Sequence, residues 1–250
     1  MSPFESPPAL NSIIPTDPTI KSGTLSNGFR YFVLPNSYPK NRIEMRLLVN
    51  VGSIFEEEDQ RGLAHITEHM AFNGTTNFSS EELIHFLESL GMRYGAHINA
   101  ATAMDYTLYQ LHVPVIDDST TLKALQVLRD WSSELLFPPE EIERERQVAL
   151  EEWRMHRVST QRVMEQIRPL LFAGTPYADR LPIGTEESLK TFSHEALRRF
   201  YSDWYRPERM SILVVGDING DDIVDKIEAL FSDVCSQSPS PSLPSLKWER

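Results

Sequence analysis

Residues 62–74 read Gly62-Leu63-Ala64-His65-Ile66-Thr67-Glu68-His69-Met70-Ala71-Phe72-Asn73-Gly74. The stretch from Asp59 to Phe72 is predicted to be a helix, and on a helix each residue turns about 100°. His69 then lies about 40° from His65, and Glu68 about 60° to the other side, so the three share one face. One helical turn brings both imidazoles within reach of a single metal ion. Zinc suits two imidazoles and a carboxylate, with the fourth position left to water. Glu68 falls beside that open position, where a carboxylate can take a proton from the bound water. Of the chain's seven histidines only His65 and His69 stand four apart, and a chance match to the whole pattern is expected on the order of 0.02 times in a chain this long.

The third ligand has to come from elsewhere, and the acidic stretch from Glu140 to Arg154 offers candidates. Glu145 and Glu152 are two helical turns apart, which puts them within about 20° of one face. Val148 and Met155 fall on the same side, so this face is expected to be buried, where two carboxylates are costly unless paired or metal-bound. Glu140, Glu141, Glu143 and Glu151 point elsewhere and read as a solvated, salt-bridged surface.

Around these two helices, strands and helices are mixed rather than strictly alternating. Strands are predicted from Phe29 to Leu34, after the turn signal Asn27-Gly28, and from Ile43 to Val51. Ser80 to Leu90 is a helix capped by Ser79 or Ser80 and closed by Gly91. A strand pair follows, Met92 to Asn99 and Asp105 to Val113. Three helices come next, roughly Ser119 to Leu136, Pro139 to His156 and Thr160 to Phe172, with Pro139 suited to a first helical position. A loop holding Gly174, Pro176, Pro182 and Gly184 leads to a helix from His194 to Trp204, an apolar strand from Met210 to Val215 and a last helix from Asp221 to Phe231. This order predicts an α+β fold, a mostly antiparallel sheet covered by helices on one face, and argues against a doubly wound sheet. Prolines mark both ends: residues 1–21 read as an extended lead, 22–235 as the compact zinc-binding domain, and 236–250 as a Pro/Ser-rich linker. A linker at the end of the chain leads us to expect further protein after Arg250.

Composition narrows the partners. Acidic residues outnumber basic ones, 36 to 24, for a net charge of −12, the opposite of a nucleic-acid-binding footprint. With 40% hydrophobic and 24% charged residues the chain is too apolar to be disordered. No apolar run approaches eighteen residues, and the N-terminal MSPFESPPALNS lacks the charged-then-apolar plan of a secretory signal, so no membrane span is expected. Export to a compartment such as the periplasm after removal of a signal, and the cytoplasm, both stay open. Cys235 is the only cysteine, which excludes an intrachain disulfide framework and a multi-thiolate zinc cluster.

The H-x-x-E-H order is the reverse of H-E-x-x-H and is a metalloprotease signature. With it, the runs T24-L-S-N-G-F-R-Y-F-V, S89-L-G-M-R-Y-G-A-H-I-N-A-A-T, E145-R-Q-V-A-L-E-E-W-R and W204-Y-R-P-E-R-M-S-I-L-V-V-G-D resemble the pitrilysin-type zinc peptidases, the family of insulin-degrading enzyme and the mitochondrial processing peptidases, and within it the bacterial branch. The resemblance spans nearly all of the compact part and identifies it with the family's N-terminal catalytic domain. It implies a zinc-dependent endopeptidase acting on unfolded peptides or small proteins. One zinc per chain would be held by His65, His69 and Glu152, with Glu68 as general base and Glu145 orienting a ligand. Glu151 stays open as the alternative third ligand, because the 83 residues from His69 to Glu152 are more than the family leads us to expect. Peptide substrates of the family add as a strand to a sheet edge. That edge corresponds here to Asn99, Ala100 and Ala101, and Phe72 to a residue beside the scissile bond, although plain core packing explains Phe72 equally well. His97 and His112 read as surface or core histidines rather than ligands. Family members close two lobes around the peptide, so a second lobe or a partner subunit is expected, and this chain alone is expected to be weakly active or to serve as a zinc- and peptide-binding half. The small S-ribosylhomocysteine lyases share the motif order, but there a cysteine completes the site, and Cys235 beside the Pro/Ser stretch is poorly placed for a rigid ligand.

Overall fold

In the strand from Arg42 to Val49, Ile43, Met45, Leu47 and Val49 are buried while Arg42 and Arg46 are exposed, the period of two that sets one face of a sheet against a core. The structure, a computed structural model, describes residues 16–91, 98–156, 158–236, 238–239 and 241–243. Among the described residues six strands form one sheet: β1 (Lys21–Thr24), β2 (Arg30–Pro35), β3 (Arg42–Val49), β4 (Ile98–Thr102), β5 (Thr107–Pro114) and β6 (Met210–Gly216), in the order β1-β2-β6-β3-β5-β4. In register, Leu47 faces Tyr109 of β5 on one side and Ile212 of β6 on the other, so their buried side chains form one row under the helices. The helices are α1 (Leu63–Met70), α2 (Ser80–Ser89), α3 (Asp118–Ser133), α4 (Pro139–His156), α5 (Ser159–Leu171), α6 (Glu186–Thr191), α7 (His194–Trp204) and α8 (Gly220–Phe231). α3 packs on β3 and β5, α8 on β2, and α1 against the edge strand β4, with α4 and α7 beside α1.

The fold is α+β, as the element order predicts, and the sheet is mostly antiparallel. The exception is β2 against β6, which run parallel. The run M-S-I-L-V-V-G of β6 is apolar almost throughout and is buried at five of its seven positions, the pattern of a central strand. It enters between β2 and β3, which are themselves separated in the sheet.

Several boundaries move. The helix expected from Asp59 is a 3-10 turn at Glu58–Gln60 followed by α1 from Leu63. The break falls at Gly62, whose φ of +92 lies in the left-handed region that favours glycine. Gly184 approaches it so closely that a Cβ on Gly184 would stand 2.9 Å from the Gly62 Cα. This backbone contact seats the loop that carries Pro182 and Ile183 against the start of α1. Two elements are additional: β1, which begins at Lys21 inside the expected lead, and α6, whose Thr185 and Ser188 form a capping box. The expected strand from Met92 to Asn99 falls largely on residues 92–97, outside the described residues, as does His97. The described strand is Ile98–Thr102. Among the described residues no helix is long and apolar enough to cross a membrane.

Candidate metal centre

α1 is only eight residues long and depends on its surroundings. Glu56 is buried and accepts hydrogen bonds from the backbone N–H of Gly62 and of Ala64, each at 2.9 Å. It thereby satisfies donors that a helix start leaves unpaired. Leu63, Ala64, Ile66, Thr67 and Met70 are buried, and just past the helix the Ala71 carbonyl accepts the indole N–H of Trp131 at 2.7 Å. Both ends are therefore anchored, and the face with His65 and His69 is left half-buried.

His69 Nε2 lies 3.1 Å from His65 Nε2, and Glu152 Oε2 lies 3.6 Å from His65 Nε2 and 3.8 Å from His69 Nε2. Donors around a tetrahedral zinc at about 2.0–2.1 Å stand about 3.3 Å apart, so three donors of the right chemistry sit at close to the spacing one zinc needs. His65, His69 and Glu152 each offer one atom to a group no more than 4.8 Å across. Glu151 does not join them: its side chain is 65% exposed and paired with Arg154.

The face of α4 differs from the expectation in one respect. Val148 and Met155 are exposed. The buried stripe is Ile142, Arg146, Ala149 and Leu150, centred about 80° to one side of Glu145, whereas Val148 lies about 60° to the other. Glu145 and Glu152 occupy the margin of that stripe, which points them at α1.

Glu145 Oε2 accepts the Nδ1–H of His69 at 2.9 Å, and its other oxygen accepts from Asn73 Nδ2 at 2.9 Å. Burial raises the Glu145 carboxyl, but the bonds from His69 and Asn73 outweigh it and hold the group below its usual range. Burial, then the neighbouring His69 and His156, pushes His65 down to about 3, so its imidazole is neutral, as a ligand must be. Burial also lowers His69, yet the Glu145 bond and the charges of Glu68, Glu152 and Glu145 carry it above its ordinary value. Glu68 is buried, which raises its carboxyl against a 2.6 Å hydrogen bond donated by Thr102 Oγ1.

Two clefts meet at this group. One of about 440 Å³ is lined by Phe72, Asn73, Ile84, Asn99, Arg144 and Glu145 among others. The other, about 420 Å³, is lined by His65, Thr102, Glu152, His156, Pro182 and Ile183 among others. Glu68, His69 and Ala100 belong to both. Asn99, Ala100 and Ala101 lie on β4, which pairs with β5 on one side and, among the described residues, forms an edge of the sheet. Phe72 packs edge-on to Trp131, ring centres 5.2 Å apart, and also lines the first cleft. His112 stands apart, paired with Glu44 at 2.6 Å, and Cys235 is exposed. Asn73, Glu56 and Thr102 escaped the sequence reading. Asn73 follows His69 by four residues, in the turn just past α1, where its side chain donates to the His69 carbonyl at 3.1 Å, whereas Glu56 and Thr102 meet α1 only through the tertiary fold.

Residues 31–181 match the family described as insulinase (peptidase family M16), and residues 191–249 match its peptidase M16 inactive domain. The chain belongs to peptidase family M16. Since β6 lies between β2 and β3, both matches fall on one sheet. A probable zinc protease PqqL of Haemophilus influenzae is 40% identical over 222 residues, 89% of this chain and 24% of the relative. The chloroplastic stromal processing peptidase of Arabidopsis thaliana is 36% identical over 238 residues, 93% of this chain and 18% of the relative. Among solved structures, the first half of the periplasmic protease PqqL from Escherichia coli superposes with a TM-score of 0.87 at 34% identity, covering 95% of this chain and 51% of that one. The chain thus spans about a quarter or less of the length of these curated relatives.

Proposed function

We propose that residues 22–235 form the catalytic domain of a zinc metalloendopeptidase that hydrolyses unfolded peptides or small proteins, with one zinc per chain held by His65, His69 and Glu152. The observation that carries this reading is the three-donor group with Glu68 beside it at the junction of two clefts. Zinc, when bound, supplies a water of pKa about 7 and polarises a carbonyl. Glu68 takes the proton of the attacking water on the carboxylate oxygen that does not carry the Thr102 bond, and returns it to the departing amine. Glu145 fixes His69 with Nδ1 protonated and Nε2 turned to the ligand group. The free edge of β4 at Asn99, Ala100 and Ala101 receives the substrate as an added strand through main-chain hydrogen bonds, and the two clefts take side chains on either side of the scissile bond.

These curated relatives are about four to six times as long as the matched stretch, which favours a division of labour in which a second lobe or partner subunit completes the peptide's enclosure. Donors aimed at the developing oxyanion are worth on the order of 10² or more in rate, so the 250-residue chain is expected to bind zinc and peptide but to turn over weakly. A peptidase assay on this chain, alone and with the remaining domains supplied in cis or in trans, tests the reading, with Glu68→Gln as control. That variant should keep zinc and lose roughly 10²- to 10⁴-fold or more in hydrolysis. Substantial activity in Glu68→Gln with metal retained would remove Glu68 from this role.

A further inference from the structure

A short hydrogen bond to Glu68 comes from outside the motif: Thr102 Oγ1 donates to Glu68 Oε2 at 2.6 Å. Thr102 is the last residue of β4 and pairs with Thr107 of β5. The hairpin that follows is braced on the segment leading into α1, since Ser53 N–H donates to the Ala103 carbonyl at 3.2 Å and Ile54 N–H to the Met104 carbonyl at 3.0 Å. There is no room for slack at this junction: a Cβ on Gly52 would stand 2.3 Å from the Ala103 carbonyl oxygen. On its other side Thr102 directly follows Asn99, Ala100 and Ala101, the open edge of the sheet. One threonine therefore joins the strand on which a peptide would dock to the carboxylate that would act on it.

We propose that Thr102 is a positioning residue for the general base, its hydroxyl holding the Glu68 carboxylate toward the ligand group and tying that position to the order of the β4 edge. This rests on the peptidase reading above. A buried glutamate side chain has several rotamers open to it, and a fixed short bond from a braced hairpin selects one. Peptide pairing along Asn99 to Ala101 stiffens the same strand, so docking and base alignment are mechanically coupled.

Thr102→Val is nearly isosteric and replaces the hydroxyl with a methyl group, and Thr102→Ser keeps the hydroxyl while removing a methyl group. In the zinc-loaded, peptide-cleaving form of the protein, Thr102→Val is expected to lower kcat about 10- to 100-fold with KM, zinc content and melting temperature close to wild type, and Thr102→Ser to recover most of the loss. A crystal structure of Thr102→Val should show the Glu68 carboxylate displaced from its wild-type position. Unchanged kcat in Thr102→Val overturns the proposal, and so does a loss confined to stability, or one that Thr102→Ser fails to restore. Should the wild-type protein cleave no peptide even with the remaining domains supplied, the peptidase reading fails instead, and the Thr102 proposal stands or falls on whether Glu68 moves in the Thr102→Val structure.

Discussion

His69 donates its Nδ1–H to Glu145 Oε2 at 2.9 Å, and its Nε2 faces His65 Nε2 at 3.1 Å. A carboxylate only accepts, so this contact fixes the tautomer and leaves the Nε2 lone pair directed at the space between His65 and Glu152. Glu145 comes from a helix 76 positions later in the chain, and it reaches His69 because α4 packs alongside α1.

Removing that acceptor should loosen the centre without dismantling it. Glu145→Ala is expected to weaken zinc binding about 10- to 100-fold, measured by competition with a chromogenic chelator, while the circular dichroism spectrum stays that of the wild type. Unaltered zinc affinity would show that His69 is oriented by its own packing.

The neighbouring acids Glu151 and Glu152 should separate cleanly. Glu152 stands within 3.8 Å of both imidazoles, whereas Glu151 is turned outward to Arg154. Zinc content of the purified protein is expected to fall sharply in Glu152→Gln and to remain near one per chain in Glu151→Gln. The reverse pattern would exchange their roles.

Sequence reading found the part of the site that local periodicity encodes. The spacing of His65, Glu68 and His69 on one helix face, and that of Glu145 and Glu152 on another, needs only the helical repeat. What it missed depends on burial and on long-range contacts. The spacing places Val148 and Met155 on a face expected to be buried, yet both are exposed beyond the margin of the buried stripe of α4. The parallel pairing of β2 with β6 joins segments far apart in the chain, and no local pattern announces it. Thr102 meets Glu68 across 34 positions of sequence, and Glu56 is a buried acid in a run of acids that otherwise reads as surface. α6 was legible through Thr185 and Ser188, but its six residues are too few for apolar periodicity to mark.

Glu56 supplies a pH-dependent prediction. Burial pushes its carboxyl from an ordinary value of 4.5 up to about 8, against the opposing N–H groups of Ala64 and Gly62 and the charges of Arg180 and Arg61. Between those two values the folded protein holds a proton that the unfolded chain has released. The group's contribution to stability therefore falls as pH rises through this window, and the full penalty stands above it. Glu56→Gln does not titrate. The melting-temperature advantage of the wild type over Glu56→Gln should shrink from about pH 5 to about pH 9, and a difference that stays constant or grows would contradict a neutral Glu56 cap.

The zinc centre itself is tested most directly by anomalous diffraction at the zinc edge from crystals of the zinc-loaded protein. One peak per chain is expected, within about 2.0–2.2 Å of His65 Nε2, His69 Nε2 and a Glu152 carboxylate oxygen, with Glu68 adjacent but not coordinating. The absence of a peak between these three side chains, or a zinc ion held there without Glu152, would contradict the account.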